Sequence, residues 1–185
     1  MIKSDLTGIL LCGGKSTRMG SDKFSQLYNQ IPLYKPALHV LELNCEHVLV
    51  SSNVNYPEFA NYQLINDEHE NIGPIGGILA CLKKSSTTYN LIMACDMPFI
   101  TGNIVKEMRL IECNFEAIVP LNNGQAEPLY AIYNKSICSK LEKLILQNKY
   151  SLRKMLSELT VCYLDVNEHV SEFVNVNTLA ELRAL

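Results

Sequence analysis

GILLCGGKSTRMGSDK, residues 8–23, decides how the rest of the chain is read. It opens on Ile9, Leu10 and Leu11, a short apolar run of the kind that forms a buried parallel strand. Gly13 and Gly14 follow at once, and after them Lys15, Ser16, Arg18, Met19, Gly20, Asp22 and Lys23. A buried strand that runs into adjacent glycines, hydroxyls and basic residues is what a phosphate-binding loop requires. Glycine admits positive φ and lets backbone N–H groups approach an anion with no Cβ between them. Arg18 offers a planar fork of donors to phosphate oxygens, and Lys23 a mobile point charge.

Two glycine motifs are excluded by spacing. The glycines are adjacent and Lys15 follows them directly, which is not G-x-x-x-x-G-K-[ST]; nor is the stretch G-x-G-x-x-G, the main support for a dinucleotide-binding dehydrogenase. The stretch resembles instead the L-x-G-G-x-S-x-R-M-G-x-D-K signature of nucleotidyltransferases that release pyrophosphate. Leu11, Gly13, Gly14, Ser16, Arg18, Met19, Gly20, Asp22 and Lys23 all fall on that pattern. A glycine turn with solvated charges would account for two glycines, but not for nine matched positions in thirteen residues.

The 185 residues are within the size of a single core, below the roughly 250–300 at which chains divide. A net charge of −3 argues against a surface that coats nucleic acid, though not against a local basic pocket. The seven cysteines are odd in number, lie mostly in apolar runs and form no C-x-x-C. They are expected to be small buried hydrophobes of a reducing compartment, with no disulfide or zinc framework. The four histidines have no metal-ligand spacing, and no apolar run has the length of a membrane span. A cytoplasmic protein with no membrane and no nucleic-acid partner is expected.

Beyond the glycine loop, Gln26–Tyr28 and Ile31–Pro32 flank Asn29-Gln30, the pattern of a small hairpin. Pro32 suits the first turn of a helix to about Asn44, with Tyr34, Ala37, Leu38 and Leu41 inward. His47–Val50 reads as a second strand, with Ser51 at its carboxyl end, where α/β sheets place ligand contacts. Leu64-Ile65 is a third strand, ending at Asp67, and Pro74 then opens a helix through Leu82. Glu68 and Glu70 read as a solvated loop, whereas Asp67 shares the strand-end edge with Gly13 and Ser51.

Leu91–Cys95 is a charge-free strand that runs directly into Asp96. An ionised carboxylate there is costly unless paired or bound to a metal. Thr101 is the better cap for the helix carrying Ile104, Val105 and Met108, and so a metal role for Asp96 leads over an N-cap role. Mg²⁺, which takes one or two carboxylates plus phosphate oxygens and water, suits a triphosphate site. The remainder reads as strand Ala117–Leu121, a turn at Asn122-Asn123-Gly124, strand Leu129–Tyr133, and helices with Leu141, Leu144 and Ile145 and over Ser151–Leu159. Val161–Val166 is a further strand, Phe173–Thr178 an extended segment with Asn175 and Asn177 on one face, and Leu179–Leu185 a last helix. The pattern is that of an α/β fold, one domain over 1–185.

The glycine signature, GPIGG after Asp67, CDMP around Asp96 and FVNVNT near the end together resemble the molybdenum cofactor guanylyltransferases, over nearly the whole chain. The resemblance implies a single-domain Rossmann-like nucleotidyltransferase fold, a mostly parallel central sheet with helices on both faces. It implies transfer of GMP from GTP to the phosphate of molybdopterin or molybdenum-molybdopterin, with release of pyrophosphate. Residues 1–100 would hold the nucleotide and 101–185 the pterin. By the same resemblance GTP would meet Leu11, Cys12, Gly13, Gly14, Lys23, Ser51, Asp67 and Asp96. Arg18, Lys23 and Asp96 would be catalytic, Asp96 would hold Mg²⁺, and Asn175 and Asn177 would face the pterin. Molybdopterin-transferring proteins and molybdoenzyme acceptors are the implied protein partners. Relatives commonly carry Ala at the positions of Cys12 and Gly76; both being small, the fold is expected to tolerate either. Three rivals stand beside this reading: a cytidylyltransferase for the same pterin, a sugar-phosphate nucleotidyltransferase, and a non-catalytic nucleotide-binding regulator. GPIGG and FVNVNT disfavour the first two, and the pairing of Lys23 with Asp96 the third.

Overall fold

The computed structural model describes residues 5–12, 26–69, 71–112 and 114–174. In chain order its elements are β1 (Leu6–Leu11), β2 (Leu27–Tyr28), β3 (Ile31–Pro32), α1 (Tyr34–Asn44), β4 (His47–Ser51), β5 (Gln63–Ile65), α2 (Pro74–Lys84) and β6 (Tyr89–Ala94). There follow α3 (Asn103–Leu110), β7 (Ala117–Asn122), β8 (Gln125–Ala126), β9 (Tyr130–Asn134), α4 (Cys138–Leu146), α5 (Leu152–Ser157) and β10 (Val161–Asp165), and then 3₁₀ turns over Asn167–Phe173.

The main sheet has the order β10-β7-β9-β6-β1-β4-β5, with β8 beside β7. It is parallel from β5 through β6 and again between β7 and β10. The antiparallel pairings belong to β9 and to the β7–β8 hairpin. β1 and β6 are buried at every residue, because each has a neighbouring strand or a helix on every side. The period of two sends Leu6 and Leu10 to one face, under Tyr34, Ala37 and Leu41 of α1 and Ile104 and Met108 of α3. Ile9 and Leu11 go to the other, under Ile75, Ile78 and Leu82 of α2, Leu141 of α4 and Met155 of α5. Helices therefore cover both faces of a mostly parallel sheet, as the sequence implied.

The winding locates the ligand crevice. From β1 the chain passes through α1 to β4 on one side; from β5 it returns through α2, on the opposite face, to β6 on the other side of β1. The direction reverses between β1 and β6, and the carboxyl ends at such a switch point are where open α/β sheets bind ligands.

Three local readings need correction. Pro32 does not open the first helix: it pairs with Leu27 in β3, and the Leu33 N–H, bonded to the Gln26 carbonyl at 3.1 Å, carries the hairpin one residue further. The proline in the first turn of α1 is Pro36, where no intrahelical N–H is needed. Thr101 does not cap α3. Gly102, at φ 81°, is the last residue before that helix; the Thr101 hydroxyl donates to Glu172, and its oxygen accepts from the Asn103 N–H only at 3.5 Å. Phe173 closes a 3₁₀ turn rather than opening an extended segment; Val174 after it is extended. The cysteines are also less buried than expected. Among the described ones only Cys81 is fully enclosed, while Cys12, Cys45, Cys95, Cys138 and Cys162 are partly exposed thiols. No helix of the described residues is long and apolar enough to cross a membrane.

Candidate nucleotide-binding and transfer site

The carboxyl ends of β1, β4, β5 and β6 bring Leu11, Cys12, Ser51, Asp67 and Asp96 to one edge of the sheet. Gly13, Gly14, Arg18 and Lys23, as well as Asn175 and Asn177, lie outside the described residues.

At β1 the sheet itself uses much of the backbone. The Cys12 N–H donates to the Ser51 carbonyl at 2.9 Å, and the Leu11 carbonyl accepts from the Cys95 N–H at 3.2 Å. The Leu11 side chain packs into the core beneath α2. Cys12 is half-buried on the opposite face, against the apolar cluster under α1. Ser51 is buried, and its hydroxyl points behind the sheet toward α2, close to the Cys81 thiol and to the Cα of Gly77. Burial raises the Cys81 thiol to about 12, against a smaller opposing effect of the Ser51 hydroxyl. The structure thus gives the Ser51 side chain a packing environment.

Asp67 is held by two local bonds. Its N–H donates to Asn53 Oδ1 at 2.7 Å, and its Oδ1 accepts from the His69 N–H at 2.8 Å, an Asx turn that closes the loop after β5. The carboxylate then lies over Gly76 in the first turn of α2, where the helix presents its positive end. A Cβ built at Gly76 would overlap both carboxylate oxygens and sit 2.7 Å from Asp67 Cγ. Alanine at this position would therefore require the Asp67 carboxylate to move, since a methyl group on Gly76 and this placement of Asp67 exclude each other. Asn53 was legible only as a residue at the carboxyl end of the second strand; its bond to Asp67 was not, because the two are fourteen positions apart and no local pattern links them.

Asp96 is half-buried, two residues beyond the fully buried β6. The Cys95 N–H bond to Leu11 continues the ladder past the assigned strand end, and buried Met97 and Ile100 pin the loop that follows. The carboxylate therefore sits at the β1–β6 switch point, beside the strand that feeds the glycine loop. No group of three or more His, Cys, Asp or Glu among the described residues is arranged to hold a metal. A single strand-end carboxylate does not suit zinc, which wants four protein ligands or three and a water. It fits Mg²⁺, which keeps several waters and draws its remaining ligands from phosphates.

Comparison with known proteins converges on one group. The MobA-like NTP transferase domain matches residues 8–162. A probable molybdenum cofactor guanylyltransferase of Bacillus subtilis (strain 168) is 30% identical over 190 residues, covering 96% of this chain and 92% of that protein. The molybdenum cofactor guanylyltransferase of Ralstonia nicotianae is 30% identical over 197 residues, covering 98% and 96%. Among solved structures, the molybdopterin-guanine dinucleotide biosynthesis protein A of Archaeoglobus fulgidus superposes with a TM-score of 0.82 at 23% identity, over 97% of this chain and 96% of that one.

Proposed function

Because the chain belongs to the MobA-like NTP transferase family, a family of nucleotidyltransferases, we propose how its own residues carry the guanylyl transfer of molybdopterin guanine dinucleotide synthesis. The observation that carries this reading is the placement of Cys12 and Asp96 at the carboxyl ends of the neighbouring strands β1 and β6, the sheet's switch point. The acceptor phosphate of molybdopterin attacks the α-phosphorus of GTP. A new P–O bond forms there, the bond to the bridging oxygen of the β-phosphate breaks, and pyrophosphate leaves with the electron pair. A phosphate nucleophile is already ionised, so no general base is needed; positioning and charge neutralisation carry the step.

Asp96 would hold Mg²⁺, which when bound supplies charge neutralisation at the phosphate oxygens. Arg18 and Lys23 would hold the triphosphate, together with the backbone N–H groups of Gly13 and Gly14. Residues up to about 100 would form the nucleotide part, and later ones, with Asn175 and Asn177, the pterin part. A reducing cytoplasm fits the reduced thiols, and the dinucleotide product would pass to molybdoenzymes.

Base choice rests on acceptors, because guanine offers N1–H and an amino group as donors. The acceptor proposed to meet the base is a backbone carbonyl at the strand ends or the Asp67 carboxylate, whose Oδ1 also accepts from the His69 N–H. A buried acceptor left unpaired by the wrong base costs about 1–3 kcal/mol, roughly one to two decades in affinity. GTP should therefore bind at least about tenfold more tightly than CTP. Calorimetric competition with Mg²⁺ decides it, and equal affinities would remove the guanylyl assignment. A nucleotide panel assayed for pyrophosphate release with molybdopterin tests the reaction itself.

Cys12→Ala should leave turnover within about threefold of wild type. The sheet bond made by its N–H does not depend on the side chain, and the half-buried thiol packs against the apolar cluster. Steady-state rates measured beside an inactive control would show whether the sulfur has a role of its own.

A further inference from the structure

Glu172 is an anomaly that the reaction described above does not use. The residue is 3% exposed, yet it is an acid on a short 3₁₀ segment near the described end of the chain. A carboxylate taken out of water is strongly disfavoured unless charge-assisted hydrogen bonds satisfy it. Both oxygens are so used, and by a single residue 71 positions away: Oε2 accepts from the Thr101 N–H at 3.0 Å, and Oε1 from the Thr101 hydroxyl. His169 stands beside the pair, with Nδ1 3.8 Å from Glu172 Oε1 and Nε2 3.0 Å from Glu107 Oε1 on α3. The next residue, Phe173, is buried and packs on the Tyr130 ring of β9 at 5.7 Å between centroids.

What this anchor joins is informative. Thr101 ends the loop that begins at Asp96, and Met97 and Ile100 fix the middle of that loop in the core. On the other side, Glu172 and Phe173 fix the chain immediately before Val174. From Glu172 only three residues lead to Asn175 and five to Asn177, a reach of at most about 11 and 18 Å. One buried carboxylate thus ties the far end of the Asp96 loop to the point from which Asn175 and Asn177 depart.

We propose that Glu172 is a positioning residue for the acceptor, holding the chain that leads into Asn175 and Asn177 in register with the loop of Asp96. The proposal rests on the reading of those asparagines as the pterin-facing residues. It acts through two hydrogen bonds rather than through net charge. Gln at 172 can accept from the Thr101 N–H and donate to the Thr101 hydroxyl oxygen, and so should preserve it; Ala cannot.

The test compares the full-length wild type with Glu172→Ala and Glu172→Gln by steady-state kinetics and by hydrogen exchange of the Thr101 amide. In E172A the KM for molybdopterin should rise about tenfold, while the KM for GTP stays within about twofold. E172Q should stay within about threefold of wild type on both. The Thr101 amide should exchange at least about tenfold faster in E172A than in wild type or E172Q. Two results would overturn the proposal: an unchanged acceptor KM in E172A despite faster Thr101 exchange, or an equal rise in both KM values, which marks general loosening. An E172Q chain as impaired as E172A would overturn the hydrogen-bond account, and unchanged Thr101 exchange in E172A would overturn the anchor. A wild type that makes no guanine dinucleotide would instead sink the functional reading, and the exchange measurement would still judge the anchor alone.

Discussion

Asp96→Asn should fold like the wild type and lose about 10²–10³ in turnover, the loss usual when one preorganised stabiliser of phosphoryl charge is removed. Asn keeps the shape of the side chain at the end of β6, so the ladder bond of Cys95 and the buried positions of Met97 and Ile100 have no reason to change. What goes is the negative charge that β6 delivers to the β1–β6 switch point. Binding of GTP alone should weaken less than turnover, because the glycine signature and its basic residues still meet the triphosphate. Titration with Mg²⁺ separates the effects: a metal role predicts a shifted or absent Mg²⁺ dependence. Near wild-type turnover in this variant, with ordinary Mg²⁺ dependence, would take Asp96 out of the mechanism.

The second large effect is on stability. Gly77 of α2 packs directly on the sheet, and a Cβ there would run into Ser51 Oγ and come within 3.6 Å of Leu11 Cδ2. Gly77→Ala should therefore destabilise the chain by about 1–3 kcal/mol, the usual cost of overpacking a filled core. For a chain of this length that lowers the melting temperature by about 2–12 °C, at roughly 2–4 °C per kcal/mol. The double variant with Ser51→Ala should recover most of the loss, because the ideal Cβ clears the Ser51 Cβ at 3.5 Å and only the hydroxyl obstructs it. Melting curves of the two single variants and the double form a thermodynamic cycle. Strictly additive losses would show that the clash lies with α2 or Leu11. The cycle also bears on Ser51, since Ser51→Ala alone should leave GTP affinity unchanged if its hydroxyl only packs.

What the sequence revealed, and what it hid, follows the range of the forces involved. β1, β4 and β6 were legible because strands buried on both faces are continuous apolar runs, and α2 because Pro74 and the inward Ile75, Ile78 and Leu82 obey helical spacing. The hairpin at Asn29-Gln30 was legible because that turn requires positive φ at both residues, which is what they adopt. The place of Asp96 was legible because it follows directly on the charge-free run Leu91–Cys95, most of which is β6. Pro32 misled because proline favours both a helix start and a strand end, and the Gln26–Leu33 bond that decides between them is not local. The partners of Thr101 and Asn53 and the overlap of Gly76 with Asp67 were hidden for one reason: each contact joins residues well apart in the chain. At Phe173 the alternating pattern suggested the start of an extended segment, yet the tertiary packing of Glu172 and Phe173 closes a 3₁₀ turn there, and extension begins only at Val174.

The position of β9 between β6 and β7 has a consequence for how the protein is made. A ribosome delivers β6 long before β9, so residues 89–94 emerge with β1 on one side and nothing on the other. β7 emerges next and still cannot close the gap, since its sheet neighbours are β8, β9 and β10. Only when Tyr130–Asn134 arrives are the earlier and later strands stitched into one sheet. Until then a nascent chain carries a bare, apolar strand edge, the kind of surface that recruits chaperones or other nascent chains. Cutting the gene near residue 100, between the nucleotide and pterin parts, would make that transient state permanent. The two parts differ in what they are proposed to bind, but they are inherited and folded as one object.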